Sequence, residues 1–115
     1  PKWFGPHTAY TISKYGMSMV TLGLAEELRE AGIAVNSLWP RTIIATAAIR
    51  NVLGGEAAMA RARDPRIMGD AAHAILTRPA REATGTFFID DEVLAAAGIT
   101  DLALTCILPS LWLPG

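Results

Sequence analysis

The sequence predicts an α/β protein built on a parallel sheet, and three stretches carry that prediction. Residues 8–31 repeat apolar side chains at helical spacing, at Ile12, Tyr15, Met19, Val20, Leu24 and Leu28. After Gly32, residues 33–38 form an apolar, partly β-branched run without the alternation of a half-exposed strand, the pattern of a buried parallel strand. A second helical stretch leads to another such run at residues 86–90. Strand, crossover helix and strand make a right-handed parallel unit.

Each element has its own warrant. Residues 1–8 hold the breakers Pro1, Gly5 and Pro6 around Trp3 and Phe4, so they read as a loop. His7 reads as an exposed residue or a polar contact ahead of the helix. The helix over 8–31 is apolar on more than one side and therefore needs more than one partner; Gly16 and Ser18 are small enough for close approach. Glu26, Glu27, Arg29 and Glu30 mark its solvated end, and Gly32 its stop. Ligands of open α/β sheets bind beyond the carboxyl ends of the strands, which here is Pro40–Thr46.

Residues 45–66 are Ala-rich and broken by Gly54-Gly55 and Asp64-Pro65, which predicts two short helices with a turn between them. Their apolar residues Ile49, Val52, Leu53 and Met59 suit any short amphipathic helix, and Arg61, Arg63 and Arg66 read as a solvated basic face. Asp70 is placed to cap a helix running to about Thr77, on which His73 reads as structural; Pro79 ends the element. A short helix over 91–98 closes at Gly98, and an extended apolar tail carries Leu102, Leu104, Ile107, Leu108, Leu111 and Trp112.

Composition narrows the function classes. The 115 residues are 51% hydrophobic with a formal net charge of −1, both signs interspersed, so no electrostatic footprint for nucleic acid or anionic membrane is present. Cys106 is the single cysteine, which leaves no internal disulfide and no thiol cluster for a metal. No apolar run approaches the ~20 residues of a membrane span. Gly54-Gly55 does not follow a strand, so these residues contain no Gly-rich dinucleotide turn. Two strands fall short of the three that a stable sheet generally needs, so the chain reads as part of a domain.

The chemistry centres on Tyr10 and Lys14. On one helix their spacing of four puts both side chains on one face, a turn apart. A free tyrosine has a pKa near 10, and acid/base work near neutral pH needs that lowered by about three, or about 4 kcal/mol. One positive charge roughly 6 Å away supplies about 2.8 kcal/mol at an effective dielectric of ~20. A second positive charge is wanted, and an oxidised nicotinamide ring would provide it. In isolation, the same pair also reads as a helix-capping aromatic beside a solvated lysine.

Tyr10-x-x-x-Lys14, Gly16, the helix end Leu24-Ala25-Glu26-Glu27-Leu28, Gly32-Ile33-x-Val35-Asn36 and the following Pro40 together resemble the short-chain dehydrogenase/reductase family. Residues 9–19, residues 35–42 and Thr84–Asp90 look like its hydroxysteroid dehydrogenase-like branch. The resemblance covers nearly the whole chain but only the C-terminal half of the family domain. It implies the C-terminal half of a Rossmann-type doubly wound parallel sheet: long helix, strand, lid helices, helix, strand and tail, with residues 1–115 one partial domain from which the N-terminal dinucleotide-binding half is absent. It further implies Tyr10 as the proton donor and acceptor, and Lys14 on the nicotinamide ribose. Pro40 and Arg41, backbone groups near Ile44, and the Thr46 hydroxyl are implied around the nicotinamide, with NAD and NADP both open.

The chain departs from the family in having Arg41 where Gly is usual, and its Pro40–Thr46 spacing reads as one residue longer than the commoner pattern. Arg41 reads as a surface residue or as a guanidinium near a nucleotide phosphate. Implied besides are a small apolar, lipid-like alcohol or carbonyl substrate, a cavity edge at Trp3, Phe4 and His7, and a homodimer or homotetramer formed through the 8–31 helix. The implied compartment is the cytoplasm in a bacterium, mitochondria or peroxisomes in a eukaryote. A non-catalytic structural or oligomerisation subunit that keeps the Tyr10–Lys14 helix is the alternative.

Overall fold

The computed structural model describes Lys2 and residues 4–102. The expectations for Trp3, for Cys106 and for the tail beyond Leu102 lie outside the described residues. In chain order the elements are a 3₁₀ turn Gly5–His7, α1 (Thr8–Glu27), β1 (Ser37–Trp39), a π-helical turn Ile49–Leu53, α2 (Gly55–Ala60), α3 (Arg66–Leu76), β2 (Phe87–Ile89) and α4 (Asp90–Ala96). β1 and β2 are neighbours in a two-stranded sheet. The chain divides into two compact units, one of residues 1–37 with 79–87, the other of residues 38–78 with 88–115.

In the first unit, α1 begins at the predicted residue but ends at Glu27, four residues short of expectation. Leu28 N still donates to Leu24 O at 3.0 Å, but Arg29 N reaches back only to Glu26 O, and Gly32 N to Arg29 O. These tighter turns close the helix, and Gly32 completes them in the left-handed region, at φ 71°. Only Thr21 and Ala25 of α1 are buried. Residues 33–36 run extended without a ladder, so the predicted strand over 33–38 shrinks to Ser37–Trp39. Side chains supply the missing bonds: Val35 N donates to Thr84 Oγ1 at 3.1 Å, and the Asn36 amide reaches both Ala83 O and Thr86 N, each at 3.0 Å. Gly85 N donates to Val35 O and Ser37 N to Thr86 O, a pairing that ascends both segments together and so is parallel.

The second unit packs around Ile67, Ala71, Val93 and Leu94, with Leu38, Ile44, Met68, Ala74, Ile75, Phe88 and Leu102 against them. Ile67 and Leu94 are fully buried, each contributing roughly 1.5–3 kcal/mol. α3 starts at Arg66 rather than near Asp70, because Asp64 Oδ1 accepts from Arg66 N at 2.8 Å and satisfies the first turn. It stops at Leu76, ahead of Pro79. Asp90 opens α4 instead of closing β2. Both strands are half-buried and not buried as predicted, with Trp39 and Phe87 exposed, since no other strand flanks the pair among the described residues. The three arginines do not share a solvated face: Arg63 is buried, Arg66 pairs with Asp64, and Arg61 alone of the three is exposed without such a pair.

Candidate functional site

α1 holds Tyr10 and Lys14 one turn apart, and the Lys14 Nζ lies over the Tyr10 ring, 5.3 Å from its centroid. The predicted common face is therefore real, and an exposed cation over an aromatic face is worth about 0.5–1 kcal/mol. Tyr10 is 60% exposed, open to a partner molecule. Ser13 Oγ donates to Tyr10 O at 2.7 Å, so that hydroxyl is tied to the helix backbone. Upstream, Thr8 Oγ1 donates to Phe4 O at 2.9 Å and the Phe4 ring lies 6.1 Å from that of Tyr15, which draws the 3₁₀ turn onto the start of α1. His7 is exposed and caps α1 without a side-chain hydrogen bond.

The Pro40–Thr46 segment belongs to the second unit and is held at two points. Asp90, fully buried, accepts at Oδ1 from Arg41 N and from Asp91 N, both at 2.9 Å. Further on, Arg63 N donates to Ile43 O and Ala45 N to Arg63 O, each at 2.8 Å, a parallel bridge between Ile44 and Arg63. A parallel bridge of this kind uses the groups on either side of Ile44 and leaves Ile44's own N–H and C=O unused. Thr46 is exposed; its Oγ1 accepts from Ile49 N at a long 3.5 Å, which leaves its hydroxyl proton free to donate.

Arg41 is engaged rather than free. Its Nε donates to Asp91 at 3.1 Å and its Nη2 to Glu92, and these two carboxylates, Asp91 first, hold the guanidinium protonated well above the ordinary arginine range. Sequence reasoning missed Asp90, Asp91 and Glu92 as parts of this site. The signal lay in the run of three acids directly after a strand, which put a carboxylate at the same sheet end as Pro40.

A cleft of about 460 Å³ lined in part by Asp70, His73, Thr77 and Arg78 contains none of the predicted site residues. Among the described residues no group of three His, Cys, Asp or Glu side chains is placed to hold a metal ion, and no helix is long and apolar enough to cross a membrane.

No family model matches the chain. It is 51% identical over 109 residues to hydroxysteroid dehydrogenase-like protein 2 of Xenopus tropicalis and 47% identical to that of Homo sapiens, in each case over 95% of this chain and 25% of the relative. A solved structure assigned as a dehydrogenase of Xanthomonas campestris matches with a TM-score of 0.87 at 53% identity, covering all of this chain and 44% of the other. A short-chain dehydrogenase of Mycobacterium thermoresistibile matches with a TM-score of 0.81 at 47% identity, covering all of this chain and 42% of the other. The chain thus spans about a quarter of the curated relatives' length and under half of the solved chains.

Proposed function

Starting from a chain that is a partial α/β, Rossmann-type domain of the short-chain dehydrogenase/reductase kind, similar to the hydroxysteroid dehydrogenase-like branch, we propose that the whole protein is a nicotinamide-dependent oxidoreductase acting on an alcohol or carbonyl of an apolar, lipid-like substrate. The single observation that carries this is Lys14 Nζ over the ring of an exposed Tyr10. NAD or NADP would supply or accept the hydride when bound. Tyr10 gives its hydroxyl proton to the substrate oxygen in reduction and takes it back in oxidation. Lys14 sets a positive charge one turn away, over the Tyr10 ring, and would donate to the ribose.

The Pro40–Thr46 segment, taken by itself, suits a nicotinamide carboxamide. Ile44 offers one unused N–H and one unused C=O, the pair that a primary carboxamide complements, and Thr46 adds a hydroxyl. Pro40 and Arg41 then shape this segment and need not contact the cofactor themselves. Oligomerisation through α1 fits its exposed apolar residues, Ile12 and Met19 among them. In a bacterium the reaction would run in the cytoplasm; in a eukaryote, in mitochondria or peroxisomes.

The test is Tyr10→Phe in the full-length protein. Turnover falls at least ~10²-fold while the Kd for NADH or NADPH stays near wild type, whereas Lys14→Ala loses both. Near-normal turnover of Tyr10→Phe would sink the assignment.

A further inference from the structure

The geometry points to Arg41, Asp91 and Glu92 as positioning residues: a charged clamp, seated on the buried Asp90, that sets the Arg41–Thr46 segment for cofactor binding without touching the cofactor. The inference rests on the oxidoreductase reading and specifies how one of its sites is built.

The argument begins with what an exposed loop after a strand lacks. Residues 41–46 contain neither helix nor strand, so their conformation must be fixed by contacts outside the segment. The Ile44–Arg63 bridge fixes the middle. The entry is fixed at Arg41, and twice over: its backbone N donates to Asp90 Oδ1 at 2.9 Å, and its side chain spans Asp91 and Glu92 on the first turn of α4. A guanidinium presents several donors in a rigid planar fork, so two carboxylates on successive residues hold it in one orientation. Asp90 Oδ1 also accepts from Asp91 N at 2.9 Å, so one buried oxygen ties the loop entry to the helix start.

Charge decides between this role and direct phosphate binding. Asp91 and Glu92 set two carboxylates against the one guanidinium of Arg41, which leaves the cluster with a formal net negative charge. A phosphate would meet a guanidinium whose Nε and Nη2 already donate to carboxylates, and the same two carboxylates would repel it. The clamp instead holds the segment on which Ile44 presents its free N–H and C=O. A loop already in its bound conformation binds more tightly because less ordering is lost on binding.

A double-mutant cycle in the full-length protein tests this, read as the Kd for NADH and for NADPH by fluorescence titration with Tm recorded beside it. Arg41→Gln cuts both ion pairs from one side; Asp91→Asn with Glu92→Gln cuts them from the other. None of the three side chains is buried, at 44%, 23% and 64% exposed, so the variants should fold. The expected result is a weakening of about fivefold from either side, no further loss in the triple variant, and an unchanged Tm. Additive losses would overturn the clamp. So would unchanged or tighter binding when only the carboxylates are neutralised, because that is the behaviour of a phosphate ligand released from its partners. Affinity losses that appear only with a matching fall in Tm overturn it as well. If the wild-type protein binds neither NADH nor NADPH, the oxidoreductase reading fails and takes the clamp with it; if wild type binds and the cycle is additive, only the clamp fails.

Discussion

Asn36 owes its effect to having a donor and an acceptor on one short side chain. Its Nδ2 serves Ala83 O and its Oδ1 serves Thr86 N, so it stands in for the ladder that residues 33–36 do not make. Asn36→Ala strands both partners, and a cost of about 1–3 kcal/mol is expected from urea denaturation. Asp64 acts through charge instead. Its hydrogen bonds with Arg66, first the side chain and then the backbone N, hold its carboxyl below the usual carboxylate range. A lowered folded pKa means that the stabilisation is complete above the unfolded value of about 3.9 and disappears as pH falls through the lower folded one. Asp64→Asn should therefore narrow the stability gap to wild type below about pH 4 and show it fully at pH 6, in denaturation curves taken at both. A gap that does not change with pH would mean the effect is packing alone.

At the scale of elements, α1 shows which parts of the fold were legible. Its start, its surplus of apolar positions and the shared face of Tyr10 and Lys14 follow from periodicity, which is local. Its end does not, because residues 28–31 are acceptable in a helix and the stop comes from tight turns onto Gly32. The strands were overdrawn for a related reason: an apolar run tells that a segment is extended, whereas the ladder depends on what lies 50 residues away. The same distance hid the clamp, since Arg41 and Asp91 can be paired only once β1 and β2 are adjacent. α1 also makes a prediction of its own. Thr21 and Ala25 form its buried line, and Ile12, Tyr15, Met19 and Leu22 lie at helical spacing on an exposed one. Leaving such a stripe in water is unfavourable by about 25 cal/mol per Å² of what a partner would cover. If the full-length protein associates through α1, Ile12→Glu with Met19→Glu should shift it to a smaller species in light scattering. An unchanged mass would place the interface elsewhere.

For the whole molecule the question is how much of the function these 115 residues carry. They hold the Tyr10–Lys14 pair and the Pro40–Thr46 segment, yet no Gly-rich turn after a strand to receive a pyrophosphate on a helix N-terminus. They span under half of the solved dehydrogenase chains they match so well. If the full-length protein is the nicotinamide-dependent oxidoreductase proposed, part of its dinucleotide site lies outside these residues, and a polypeptide of only these residues is expected to bind NADH and NADPH at least ~10²-fold more weakly than the full-length protein. Among the described residues the same polypeptide has a two-stranded sheet, and such a sheet is marginal without further strands or layers. Its urea midpoint should accordingly lie well below that of the full-length protein, and saturating cofactor should raise the midpoint of the full-length protein alone. Parallel titrations and denaturation curves on the two polypeptides decide the matter. If the short polypeptide bound dinucleotide as tightly as the long one, the missing pyrophosphate site would have to lie within these residues, and the division of labour inferred from the resemblance would be wrong.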